Sequence, residues 1–387
     1  MIHRATRLNS VAEYYFSKKL REVRQLKAAG KPVINIGIGS PDLDPPLSVS
    51  RAMQHTMEQH NVHGYQSYQG LPELRMAMAN YYQRYFDVSL NPDTEILPLM
   101  GSKEGIMHIS MAFLNKGDKV LIPNPGYPTY TSVTNLLEAE PVFYNLLEEN
   151  NWQPDINQLE KQDLSKIKIM WVNYPHMPTG QTGDKKLFEK LVAFARKHDI
   201  LIVNDNPYSF ILNDNPLSIL SVAGAKDIAL ELNSLSKTFN MAGWRVGMLL
   251  GNAALLKSVL QVKSNMDSGM FYGIQQGAIA ALDADDSWIN NLNAVYKKRR
   301  NIAWQIADAL NCTYTKKAVG LFVWAKLPNG KNAKEVADEL LYKYNVFLAP
   351  GTIFGSNGEG YIRISLCLPE ETLVQVLDRL QTKKTGQ

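Results

Sequence analysis

The sequence predicts an α/β fold in which a doubly wound, mostly parallel sheet forms a large domain and both chain ends build a smaller α+β domain. Three features predict it. Short β-rich runs recur between about residues 95 and 252, amphipathic helical or loop stretches separate them, and the pattern changes after about residue 285. In order the runs are EILPLM (95–100), KVLIP (119–123), PVFYNLL (141–147), IKIMWVNYP (167–175), ILIVNDNPY (200–208), IALELNS (228–234) and VGMLLG (246–251). Each is short and rich in branched or aromatic side chains, as buried strands are. The segment DKKLFEKLVAFARKHD (184–199) reads as an amphipathic helix, the crossover that parallel neighbours require.

Beyond residue 285 a long helical stretch (286–310) precedes GLFVWAKLP, a helix near AKEVADELLYKY, the strand-like YIRISLCLP and a closing helix from Pro369. That is an α+β module. The expected division is a large domain over 46–285 and a small one formed by 1–45 with 286–387.

Composition narrows the function. The chain has 387 residues, 45% hydrophobic, with a formal charge of +4. So small a net charge gives no support for a nucleic-acid or polybasic membrane partner. No apolar run approaches the roughly 20 residues of a spanning helix. The opening MIHRATRLNSVAEYY lacks the apolar core of a secretory signal. Cys312 and Cys367 form neither a disulfide framework nor a metal-ligand spacing, so no metal is expected and a reducing cytoplasm is.

Open α/β sheets bind ligands at the carboxyl ends of their strands. The residues just beyond each β-rich run are therefore informative. After EILPLM comes GSKEG (101–105), a glycine turn leading into a helix, with the amides of Ser102 and Lys103 placed to meet an anion. After KVLIP comes NPGYPTY, carrying Tyr127. After IKIMWV come Asn173, His176, Met177 and Pro178-Thr179-Gly180. Asp205 ends ILIVND, and Tyr208 lies three residues on. The stretch SLSKTFNMAGWRVG (234–247) holds Ser234, Ser236, Lys237 and Arg245. One sheet edge thus collects an acid, a lysine, an arginine, hydroxyls and an anion-binding turn.

That set suits a defined chemistry. A lysine amine forms a Schiff base with a carbonyl once desolvation or a neighbouring cation lowers its pKa. Hydroxyls, helix-start amides and Arg245 suit a phosphate. A ring aldehyde with a phosphate tail is pyridoxal 5′-phosphate, and its ring nitrogen stays protonated beside a carboxylate such as Asp205. Tyr127 offers a face for the ring and Tyr208 a donor for its phenolate.

SLSK followed by GWRVG, with Asp205-x-x-Tyr208, PGYPTY and GSKEG upstream, resembles the class I/II pyridoxal-phosphate-dependent aminotransferases of fold type I. The resemblance covers nearly the whole chain and includes INIGIGSPDLDPP (34–46), YQSYQGLPELR (65–75) and YIRIS (361–365). It implies a seven-stranded sheet between helices in the large domain. Lys237 matches the Schiff-base lysine, Asp205 the pyridinium partner and Tyr208 the phenolate donor. Ser234, Ser236 and Arg245 match phosphate ligands, and Tyr127 the stacking aromatic. Arg363 looks like the clamp for the substrate α-carboxylate, and Gly39 the glycine where backbone meets substrate. Tyr65 matches a tyrosine that reaches the neighbouring subunit's phosphate, so a homodimer with shared active sites is implied.

One position departs from the family pattern. Met177 stands where the family usually has asparagine before Pro-Thr-Gly, and methionine cannot donate to the cofactor's phenolate. A lost bond of about 1.5–3 kcal/mol is expected to raise the pKa of the cofactor imine unless His176 or Asn173 substitutes. The implied reaction is ping-pong transfer of an amino group between an L-amino acid and a 2-oxo acid. GSKEG and KSNMDSGMFYGIQQ (263–276) look most like the branch containing LL-diaminopimelate and alanine aminotransferases. Lys103 could touch a distal carboxylate, yet no second arginine supports strict aspartate specificity. Methionine, aromatic and alanine donors stay open. A β- or γ-lyase of the same fold is the alternative, and the absence of G-x-G-x-x-G after a strand disfavours a nicotinamide enzyme.

Overall fold

The structure is a computed structural model that describes residues 2–11, 13 and 15–381. In chain order its strands are β1 (Ile34–Asn35), β2 (Ile96–Leu99), β3 (Lys119–Asn124), β4 (Glu140–Asn145), β5 (Ile167–Val172), β6 (Leu201–Asp205), β7 (Ala229–Ser234), β8 (Gly247–Gly251), β9 (Phe322–Lys326), β10 (Val346–Phe347), β11 (Ala349–Pro350) and β12 (Tyr361–Ser365). Seven of them form one sheet in the order β2-β8-β7-β6-β5-β3-β4. The neighbours from β7 to β4 pair in parallel. Strand β8 runs against both of its neighbours, β7 and β2. The reason is the short link. Only the segment 235–246 joins β7 to β8, and most of it is spent on a one-turn helix, Leu235–Thr238, and a 3₁₀ turn, Ala242–Trp244. A parallel return needs a longer crossover.

The pleat of β5 shows how the sheet is sandwiched. Ile169 and Trp171 pack into one apolar cluster, while Met170 and Val172 pack into the other. Successive side chains of a strand point to opposite faces, so helices cover both sides. The crossover helix Lys185–His198 is capped at Asp184, whose side chain accepts from Leu187 N at 2.7 Å. It ends on Arg196, Lys197 and His198, basic residues that suit a helix C-terminus.

The first third of the chain holds four helices, α1 (Tyr15–Ala28), α2 (Leu47–Met57), α3 (Pro72–Phe86) and α4 (Ser102–Phe113), of which α3 packs on β2 and α4 on β8. A second, antiparallel sheet has the order β11-β12-β9, and β1 pairs in parallel with β10. Through that pairing the segment at Ile34–Asn35 meets the strand at Val346–Phe347. No helix among the described residues is long and apolar enough to cross a membrane.

Candidate active site

The carboxyl ends of β3, β5, β6 and β7 open into a cavity of about 570 Å³, a usual size for a small-molecule site. Its lining includes Gly39, Ser102, Lys103, Tyr127, Asn173, Asp205, Tyr208, Ser234, Ser236, Lys237, Arg245 and Arg363. These residues come from segments 39 to 363 of the chain, and the fold brings them to one place. Tyr65 is the exception. It is 94% exposed and does not line the cavity.

Lys237 sits in the one-turn helix after β7. Ser234 caps that helix, its Oγ accepting from Ser236 N at 3.1 Å. The Lys237 Nζ donates to Gly39 O at 2.7 Å. Burial holds this amine below lysine's ordinary value; the Cys367 thiol opposes that effect, while Arg363 and Arg245 add to it. Gly39 has no room for a side chain, since a Cβ there would lie 2.2 Å from the Phe322 ring.

Asp205, the last residue of β6, is 5% exposed. Its Oδ2 accepts from Tyr130 Oη at 2.8 Å, while Oδ1 has no hydrogen-bond partner among the described residues. Burial pushes the carboxyl up to about 6, against the Tyr130 bond, which lowers it. A buried carboxylate oxygen left open is costly unless a cation or donor meets it. Tyr130 in turn stacks on Trp171, with ring centroids 4.9 Å apart, and meets Tyr127 edge-on. Burial also lifts the phenols of Tyr127 and Tyr208 above their ordinary value.

The turn after β2 leads directly into a helix. Gly101, at φ +91°, caps α4, and a Cβ there would lie 2.0 Å from Arg245 Nη2. The guanidinium therefore packs against the start of α4, where the helix-start amides already favour an anion. Ser234 Oγ donates to Ser236 Oγ at 2.8 Å beside it.

Arg363, 5% exposed, projects from β12. Its Nη2 donates to Gly37 O at 2.8 Å and its Nη1 lies 3.3 Å from Met177 Sδ. The guanidinium carbon is 3.8 Å from the centroid of Phe322 and 4.6 Å from that of Phe354. Of the two expected substitutes for the family asparagine, only Asn173 lines the cavity. His176 does not line the cavity; its Nδ1 is 2.8 Å from Thr179 Oγ1, and burial drives its pKa down to about 3. Asn173 lines the cavity, but its amide donates to Asp205 O and its Oδ1 accepts from Met177 N at 2.8 Å.

Sequence reasoning passed over Tyr130, Phe16, Leu20, Phe322 and Phe354. Tyr130 follows Tyr127 by three residues in PGYPTY, and nothing local sets it apart from a core tyrosine. The others also lack a local signal, since α1, β9 and the 3₁₀ turn Gly351–Phe354 reach the cavity only through folding.

The cavity thus holds a buried acid with one open oxygen, a desolvated amine and a helix start packed by Arg245. Residues 31–380 match the family described as aminotransferase class I and II. An LL-diaminopimelate aminotransferase of Dehalococcoides mccartyi is 41% identical, covering 98% of this chain and 98% of that protein. One from Aquifex aeolicus is 38% identical over 99% of this chain and all of that protein. Among solved structures, apo-BacF from Bacillus subtilis superposes with a TM-score of 0.93 at 36% identity, covering 99% of this chain and 98% of that one. An aromatic aminotransferase from Pyrococcus horikoshii gives a TM-score of 0.86 at 28% identity, over 95% of this chain and 99% of that one. Against this background the lyase alternative is not favoured. The chain belongs to the class I and II aminotransferases, pyridoxal 5′-phosphate-dependent enzymes of fold type I that act on amino acids and 2-oxo acids.

Proposed function

We propose that Lys237 is the proton-carrying amine of this aminotransferase and that the cavity's other polar residues hold cofactor and substrate around it. The observation that carries this reading is the open Oδ1 of buried Asp205 in the same cavity as a lysine whose pKa burial has lowered. Pyridoxal 5′-phosphate fits these residues. Asp205 would hold its protonated ring nitrogen, Tyr127 one face, Tyr208 and Asn173 its phenolate side, and Ser102, Lys103, Ser234, Ser236 and Arg245 its phosphate. Bound there, it supplies an aldehyde that accepts the amino group and a cationic ring that draws electrons from the substrate's α-carbon.

The chain's residues do the rest. Arg363 receives the α-carboxylate through a bidentate fork inside an aromatic surround, where low polarity strengthens the pairing. That fixes the α-hydrogen over the Lys237 amine. An amine whose proton is loosened by burial is better able to take the α-proton and return it to the carbon on the far side of the amino nitrogen. Gly39 O orients that amine between turns. Two such half-reactions in alternation exchange amino group for oxygen between an L-amino acid and a 2-oxo acid.

The remaining parts of this reading are a cytoplasmic homodimer in which Tyr65 reaches the partner's phosphate site, and a division into 46–285 and the two chain ends. The exposure of Tyr65 supports the first; the confinement of the seven-stranded sheet to residues 96–251 supports the second. For the donor, relatives point two ways: LL-diaminopimelate by the names of the curated proteins, aromatic amino acids by that of the P. horikoshii structure.

Borohydride fixation of bound cofactor followed by peptide mass spectrometry tests the central assignment. The label is expected on Lys237, and Lys237→Ala is expected to lower kcat by at least ~10³-fold. Label on another lysine, or a variant that still transaminates at the parent rate, would sink it.

A further inference from the structure

Resting on the aminotransferase reading, we propose that the amino donor carries a large apolar side chain of aromatic size, seated against Phe16, Leu20, Ile38, Met177, Phe322 and Phe354. All six line the cavity that holds Lys237 and Arg363. Phe16 and Leu20 are one turn apart on α1 and so share a face. Phe16, Met177, Phe322 and Phe354 are buried, and Ile38 and Leu20 are half-buried.

The position of Arg363 makes this wall unavoidable for a substrate. Its guanidinium carbon lies 3.8, 4.6 and 5.6 Å from the ring centroids of Phe322, Phe354 and Phe16, and Met177 Sδ is 3.3 Å from Nη1. A donor's β-carbon is two bonds from the carboxylate carbon that Arg363 grips. Its side chain therefore begins among these groups. A polar side chain entering here would lose water and need new partners.

Those partners are scarce. Among the described residues, Asp205 is the only carboxylate in the lining, and the proposed function assigns it to the cofactor ring. A distal ammonium, such as the one LL-diaminopimelate carries, finds no acid among them. Of the four cations described in the lining, Lys237, Arg245 and Arg363 already have tasks; Lys103 sits beside Ser102 in the first turn of α4, in the phosphate cradle. Met177 strengthens the case, because it puts a thioether where the family pattern has a polar amide.

In the net reaction the donor's α C–N and C–H bonds break and its carbon becomes a ketone. The acceptor 2-oxo acid loses its ketone oxygen and gains the C–N and C–H bonds. No outside oxidant or reductant is required.

The test uses the cofactor-loaded protein with 2-oxoglutarate and, in turn, L-phenylalanine, L-leucine, LL-diaminopimelate and L-aspartate, reading oxo acids by mass spectrometry. Phenylalanine or leucine is expected to exceed both polar donors in kcat/KM by about a hundredfold or more. A preference for LL-diaminopimelate or aspartate overturns the side-chain inference and leaves the aminotransferase reading intact. Transfer from no donor sinks the aminotransferase reading instead. The inference is then decided by calorimetry with unreactive carboxylates: tighter binding of 3-phenylpropanoate than of glutarate supports it, and equal or reversed affinities overturn it. Leu20→Lys, at a half-buried position, is expected to raise KM for phenylalanine about tenfold, and an unchanged KM would remove α1 from the pocket.

Discussion

Asp205 occupies a place where a negative charge is expensive. Burial raises its pKa from 3.8 to about 6 in the folded chain, against a bond from Tyr130. Between those two values the native chain keeps a proton that the unfolded chain has released. The raised pKa therefore stabilises the fold fully below pH 3.8, and the contribution is lost as pH rises through 6. At pH 8 the ionised, half-satisfied carboxylate costs the cofactor-free protein on the order of 3 kcal/mol. Asp205→Asn removes that charge, and its amide oxygen can still accept from Tyr130. The cofactor-free variant should withstand more urea than the parent at pH 8, with the gap closing at pH 4, while its cofactor affinity falls. Equal urea midpoints at pH 8 would refute the electrostatic account. Asp205 was legible in the sequence because it ends an apolar run at the sheet edge, where ligands collect. Tyr130 was not, since a buried tyrosine one turn into a helix reads as core. Its hydroxyl matters only because β6 lies opposite.

The strands were legible as apolar runs, and β3 to β7 begin and end within a few residues of their predicted bounds. The direction of β8 was not, because strand polarity is set by the connection and not by composition. Contacts between distant elements were also hidden. The loop after β1 carries Gly39 and Asp42, and the latter pairs bidentately with Arg299 of the long helix Asp286–Ala309, at 2.6 and 2.9 Å. Arg299 is 3% exposed and also donates to Leu366 O at 3.1 Å. This junction ties the loop that accepts from Lys237 to the helix and to the end of β12. Asp42→Ala would leave a buried guanidinium without its carboxylate, at a cost of about 3 kcal/mol. A lower melting temperature is expected, together with a weakened kcat because Gly39 O is no longer held under the amine. A variant as stable as the parent would show that the pair is an incidental contact.

The single chain leaves Tyr65 almost fully in solvent, away from the cavity its family counterpart serves. In the proposed homodimer that phenol closes the phosphate site of the other subunit, so each site is built from two chains. Mixed dimers separate this from a monomeric or self-contained site. Lys237→Ala removes the amine from a subunit's own site, and Tyr65→Phe removes the hydroxyl from its partner's. In a heterodimer of the two, the Tyr65→Phe subunit keeps its own Lys237 and borrows an intact Tyr65 from the Lys237→Ala subunit. One of the two sites is therefore whole. Co-expressed and co-purified through two different tags, the heterodimer should recover about half the parent's cofactor-saturated activity per dimer, although each variant alone is impaired. If Tyr65 acted within its own chain, no site in the mixed dimer would be complete, and activity would stay at the level of the Tyr65→Phe subunit alone. Sedimentation of the parent gives the independent check: a species at the 43.5 kDa of one chain would remove the shared site and with it the role of Tyr65.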